Sequence, residues 1–127
     1  MTRINVVPVS ELCDQHLRAE LREITRIPNT IASGRAKIPA KIGTDYVLGK
    51  GHVTLFYNKL KWLRERHKQI MTECKRRGFV ANDYWPDYNF PKSLMGTLTV
   101  TDESTRINRD RIKERWPKKA KYYSQDV

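Results

Sequence analysis

The sequence predicts an all-α fold: a single compact domain of three helices with long irregular connections. Three observations predict it. Apolar residues recur at three- and four-residue spacing, the helical period, in two stretches, and Ile107 and Ile112 mark a third. The only strand-like runs, Tyr46 to Leu48 and Leu98 to Val100, are too short to build a sheet. The length of 127 residues fits one domain over 1–127 and leaves little room for a second.

The first helix is expected from about Glu11 or Gln15 to about Arg26, with Ser10 or Asp14 as N-cap and Pro28 just past its end. Leu17, Leu21 and Ile24 fall at i, i+4 and i+7 and form its buried stripe. At about 100° per residue, Gln15, Ala19, Arg22 and Arg26 gather on the opposite face, with His16 and Glu23 at its edge. The second helix is expected from about His52 to Arg77. Val53, Phe56, Leu60, Leu63, His67, Ile70 and Cys74 alternate by three and four along it. Gly78 supplies its C-terminal stop, and Lys75, Arg76 and Arg77 suit the negative end of the helix dipole. The third helix is expected from about Ser104 to Trp116, marked by Ile107 and Ile112 and ended by Pro117. Pro28 to Gly51, with Gly34, Pro39, Gly43 and Gly49, reads as irregular connection.

Charge narrows the partner. Lys and Arg number 25 against 14 Asp and Glu, a net +11, far more than solubility needs. Such an excess points to a polyanion, with nucleic acid ahead of an anionic membrane. Eight basic residues lie between Lys59 and Arg77 and eight more between Arg106 and Lys121, with two acidic residues against each block. Between the blocks sits a neutral-to-acidic insert carrying Phe79, Tyr84, Trp85, Tyr88 and Phe90. The basic helices lack an opposite face of exposed bulky apolar residues, which argues against a membrane. The apolar runs are too short to span one. The N-terminus has no signal-peptide stretch and reads as mature cytoplasmic sequence.

Most chemistries are excluded. Cys13 and Cys74 read as free buried thiols and are too few for a thiolate metal site. His16, His52 and His67 are too scattered to hold a metal, and His67 lies on an apolar stripe, where a satisfied core histidine is the commoner reading. Gly49-Lys50-Gly51 is a weak phosphate signal by itself. The N-terminus offers more. A small residue after Met1 permits loss of the initiator, which exposes the Thr2 α-amine. An α-amine has a pKa of about 7.7–8.0 against about 10.4 for lysine, so roughly a tenth of it is free base at neutral pH. That makes it an imine-forming nucleophile without burial. Every chain has a terminus, so this alone decides nothing. Glu23 is the carboxylate of interest, and its ordinary reading is a helix salt bridge to Arg26.

A longer pattern joins these residues. Met1-Thr2-Arg3-Ile4-Asn5 is followed by Val9-Ser10-Glu11-Leu12, Asp14-Gln15-His16-Leu17, Ala19-Glu20 and Arg22-Glu23. A second block runs Leu48-Gly49-Lys50-Gly51-His52-Val53-Thr54, Phe56-Tyr57, Lys59-Leu60, Leu63-Arg64, Glu73-Cys74 and Arg77-Gly78-Phe79. A weaker third holds Ser104, Ile107, Arg111, Glu114-Arg115 and Lys121-Tyr122-Tyr123. In these blocks the chain resembles the pyrimidine-dimer DNA glycosylase/AP lyase family of the phage endonuclease V type.

The resemblance implies a DNA-repair enzyme that starts base excision at UV-induced pyrimidine dimers in double-stranded DNA, needs no metal or organic cofactor and works as a monomer. It implies that the Thr2 amine displaces the base from the sugar and forms an imine. It implies that Glu23 stabilises the cationic transition state and moves protons in the β-elimination that nicks the strand. Arg22 and Arg26 would grip phosphates, helped by Gln15 and Arg3, with His16 near the site. Arg111 and Arg115 would add contacts from the third helix, and Lys121, Tyr122 and Tyr123 from the tail. The family also kinks its duplex and flips a base. Ile27 to Ala40 and Val80 to Glu103 depart from the pattern. Trp116-Pro117-Lys118-Lys119-Ala120 stands where the family has an aromatic-rich run, which leaves lesion choice open. Tyr122 and Tyr123 either stack on the lesion or pack on the first helix. The alternatives are the same chemistry on another damaged or modified base, or a non-catalytic DNA-binding protein.

Overall fold

The stripe Leu17–Leu21–Ile24 winds as α1 (Asp14–Ile24) in a computed structural model that describes residues 2–123. Leu17 and Ile24 are fully buried, and so is Glu20 between them. Pro28 cannot donate to the Ile24 carbonyl and its ring crowds that oxygen, so α1 ends there. A second helix, α2 (Arg26–Ala32), starts at once and holds Pro28 in its first turn, where no N–H is needed. The expected irregular connection is therefore corrected: residues 26–32 are helical, and Pro28 is a start signal as well as a stop. The N-cap is Cys13 rather than Ser10 or Asp14.

The single helix expected from His52 to Arg77 is also corrected. It divides into α3 (His52–Leu55), a 3-10 turn at Phe56–Asn58 and α4 (Leu60–Arg76). No proline or glycine marks the break. Its cause is tertiary. Gly96 N–H donates to the Asn58 carbonyl at 3.0 Å, taking an acceptor that a continuous helix needs. A Cβ on Gly96 would lie 2.4 Å from that same oxygen, so only glycine lets the two backbones meet. Lys59 is buried at the break, and its ammonium donates to the Gly43 and Leu55 carbonyls at 2.7 and 2.9 Å. At the far end Gly78 takes φ +89°, with Gly78 N–H on Lys75 O and Phe79 N–H on Cys74 O at 3.0 and 2.9 Å, the expected Schellman stop.

The third stripe forms α5 (Asp102–Glu114), started by reciprocal bonds between Thr101 and Ser104 of 3.0 and 2.8 Å. Among the described residues there is no strand; one isolated bridge pairs Lys59 with Met95. The all-α expectation holds. The core is built by Leu17 and Ile24 of α1, Leu60, Leu63 and Ile70 of α4, and Ile4 and Val7 of an extended N-terminal arm. Cys13 and Cys74 are buried free thiols, as expected. No helix among the described residues is long and apolar enough to cross a membrane.

The basic block from Lys59 to Arg77 is only in part a solvated face: Lys61, Lys68 and Lys75 are exposed. Lys59, Arg66 and Arg77 are buried. Arg66 pairs with Glu20 at 2.9 Å, and Arg77 with Asp14 and Glu73 at 3.0 and 2.8 Å. Arg64 grips Asp83 of the insert with two bonds of 2.9 and 2.8 Å, and its guanidinium lies 5.2 Å from the Trp85 ring centre. His67 is fully buried and accepts from Arg64 at 3.1 Å through Nδ1, but its Nε2 has no partner among the described residues. It is a core histidine that is only half satisfied.

Candidate active site

Residues 2–7 have no sheet to satisfy their backbone, and a buried backbone group needs a partner. Side chains from distant parts of the chain supply them. Arg3 N–H donates to Glu23 Oε1 at 2.8 Å. Ile4 N–H donates to His52 Nε2 at 2.9 Å, and Ile4 O accepts from the Tyr46 hydroxyl at 2.7 Å. Val6 and Val7 N–H both donate to Asn108 Oδ1, at 2.7 and 3.1 Å, and Val7 O accepts from Arg66. The Asn5 side chain donates to Glu20 and accepts from Asn108, each at 2.8 Å. The arm is thereby fixed residue by residue, with Thr2 at its free end. Burial raises the Tyr46 phenol well above its usual range, which keeps it a donor.

The two positive-φ glycines of Gly49-Lys50-Gly51 serve this clasp. They turn the chain so that His52 can accept from Ile4 while Nδ1–H donates back to Val47 O at 2.7 Å. His52 is therefore neutral, and burial holds its pKa below the ordinary histidine value. Protonation would set an N–H against the Ile4 N–H. With the folded pKa below the unfolded value of about 6.5, the unfolded chain binds more protons in the window beneath 6.5. Stability is complete above that pH and falls as pH drops toward the folded pKa. Buried His67, shifted the same way, adds to the slope. We expect Tm to fall steadily from pH 7 to pH 5, and the fall to shrink in His52→Gln. A Tm flat across that window would refute the clasp.

A cleft of about 200 Å³ opens beside the arm, lined by Arg3, His16, Ala19, Glu23, Arg111 and Arg115 among others. Burial lowers the Arg3 pKa, and the Arg111 and Arg115 charges push it further down. The three guanidiniums make this cleft cationic, although Arg111 is also paired with Glu114 at 3.1 Å. Glu23 does not form the expected salt bridge to Arg26; its carboxylate holds the arm and faces the cleft. Glu20 is spent on Asn5 and Arg66. Arg26 Nη1 lies 3.5 Å from the Thr2 hydroxyl. The Arg22 and Arg115 guanidiniums make no hydrogen bond or ion pair with the described residues. His16 Nε2 donates to Arg115 O at 3.1 Å, and its ring sets edge-on to Trp116. Met1 lies outside the described residues.

The remaining expected residues stand elsewhere. Both ends of the Gln15 amide are committed to the tail, donating to Lys119 O at 2.6 Å and accepting from Lys121 N–H at 3.1 Å. Lys121 O accepts from Asp14 N–H at 2.7 Å. Tyr123 N–H meets the Asp14 carboxylate at 3.2 Å, and its ring lies 4.9 Å from that of Phe79. The Tyr122 hydroxyl donates to Glu11 O at 3.3 Å, and the Arg77 guanidinium sits over its ring. Of the two options for the tyrosines, packing at the start of α1 is the one seen here. Asn5, Tyr46, His52 and Asn108 were not expected as site residues; their partners lie up to 103 positions away in sequence.

Fold and site define a class: a small basic helical protein that sets a carboxylate and three guanidiniums at a cleft beside its own N-terminal arm. The family model described as pyrimidine dimer DNA glycosylase matches residues 1–87, and the chain belongs to that family. The family implies a DNA substrate. Arg111 and Arg115, which complete the cleft, lie beyond the matched residues.

Proposed function

We propose that the protein is a bifunctional DNA glycosylase/AP lyase acting on UV-induced cyclobutane pyrimidine dimers in duplex DNA. The observation that carries this reading is the bond from Arg3 N–H to Glu23, which ties the first residues of the arm to a carboxylate at a cationic cleft. The Thr2 amine, freed of Met1, bonds to C1′ of the damaged nucleotide. The C1′–N glycosidic bond breaks, and its electron pair leaves with the base. Opening of the sugar ring gives a protonated imine between Thr2 nitrogen and C1′. Loss of a proton from C2′ then expels the 3′ phosphate and nicks the strand. Water later hydrolyses the imine. Glu23 stabilises the positive charge at C1′ and relays these protons. The arginines hold the flanking phosphates.

The test is borohydride trapping on a duplex with a single dimer, followed by mass mapping. The expected adduct sits on residue 2. Nicking without any trapped adduct, by fully processed protein, would sink the imine mechanism. A second reading keeps the chemistry and changes the lesion. The packing of Tyr122 and Tyr123 beside α1, together with the altered run at Trp116–Ala120, favours it. Parallel assays on dimer, oxidised-base and abasic duplexes separate the two.

A further inference from the structure

We propose that Asn108 is a positioning residue, which sets the register of the nucleophile-bearing arm from α5. The inference rests on the reading that the Thr2 amine attacks the sugar. Asn108 is fully buried. Its orientation is forced: Val6 and Val7 N–H can only donate, so Oδ1 faces them and the amide nitrogen is left for Asn5 Oδ1. One side chain therefore fixes three consecutive residues of the arm. Through Asn5 the network continues to Glu20 on α1 and from there to Arg66 on α4. The base of the arm is thus tied to three helices at once.

The same helix face has a second task. At about 100° per residue, Arg111 and Arg115 lie within a quarter turn of Asn108. The stripe that turns guanidiniums toward the cleft is also the stripe that holds the arm. Docking of α5 on a phosphate backbone and alignment of Thr2 are therefore one rigid-body event. Two successive N–H groups converge on one oxygen because the chain bends at Val7, so a slip of one residue would break that geometry and shift every arm side chain by one place. Glu23, His52 and Tyr46 hold the arm nearer its tip, but none of them touches Val6 or Val7 N–H.

The experiment uses full-length protein lacking Met1 and two variants. Asn108→Leu keeps approximate volume and removes all three bonds. Asn108→Asp keeps an acceptor for the two amides. Two readouts are taken: hydrogen exchange at individual amides, and single-turnover borohydride trapping on a saturating single-dimer duplex alongside its Kd. In Asn108→Leu, Val6 and Val7 amides are expected to lose protection while α4 amides keep theirs. Trapping should slow by about 10²-fold, the cost of misplacing a reacting group by an ångström or so. Kd should move less than about threefold, since the phosphate contacts remain. Asn108→Asp should recover part of the rate. Retained protection at Val6 and Val7 overturns the lock. Trapping and binding that fall together, in step with lost α4 protection, reduce Asn108 to a fold residue and overturn the positioning role. Absence of an adduct with the unsubstituted protein refutes the imine reading and the positioning role with it, while the exchange result still decides whether Asn108 locks the arm.

Discussion

Protein carrying one extra residue ahead of Thr2, or retaining Met1, is expected to bind dimer-containing duplex normally and fail to cleave it. An acylated nitrogen has no available lone pair for C1′, and Glu23 cannot restore one. Loss of the nucleophile from a cooperating set costs on the order of 10⁴-fold or more in rate. Binding depends on guanidiniums that the change leaves in place, so Kd should stay within about threefold. Thr2→Ala sharpens the test. It deletes the hydroxyl that lies 3.5 Å from Arg26 but keeps the amine, so cleavage should persist. Single-turnover nicking and anisotropy binding on the same duplex decide the matter. Cleavage at an undiminished rate by protein with a blocked terminus would exclude Thr2 as the nucleophile.

Glu23→Gln carries the second large expectation. The amide oxygen still accepts from Arg3 N–H, so the arm should keep the geometry that the carboxylate sets at 2.8 Å. What disappears is the charge that, in the proposed mechanism, offsets a developing cation and moves protons. Base release should slow by about 10²- to 10⁴-fold. Affinity should hold or rise, because a negative charge leaves a cleft that Arg3, Arg111 and Arg115 make positive. A rate within a few fold of the unsubstituted protein would show that Glu23 only tethers the arm.

The stripes of α1 and α4 were legible because each is written locally, in residues three and four apart; α5 was legible from Ile107, Ile112 and the stop at Pro117, although the residues it buries are Ser104 and Asn108. The shared face of Arg22 and Arg26 was legible from local spacing too, whereas spacing alone gave Glu23 only a salt bridge to Arg26, and its proposed catalytic role came from the resemblance. The break at Phe56–Lys59 was not, because Gly96 and Gly43 impose it from elsewhere in the chain. The charges on α4 misled in an instructive way. Arg66, Glu73 and Arg77 each stand three residues after a buried apolar residue, so spacing put them on the inner face. Residue type argued the opposite, since an unpaired buried charge is costly. The partners that make burial tolerable, Glu20 and Asp14, lie on another helix. Asn108 was hidden likewise: nothing near it in sequence announces that it serves residues 5 to 7.

The interior use of those cations also bears on how the protein meets its substrate. Of the eight basic residues between Lys59 and Arg77, three lie inside the fold, and Arg64 and Arg76 are tied to Asp83 and Glu73. This block therefore offers fewer solvent-facing, unpaired charges than its eight basic residues suggest. If the cleft meets the duplex as proposed, condensed counterions are displaced chiefly there. Non-specific encounters would then favour a single orientation, with the cleft and the arm beside it turned toward the duplex.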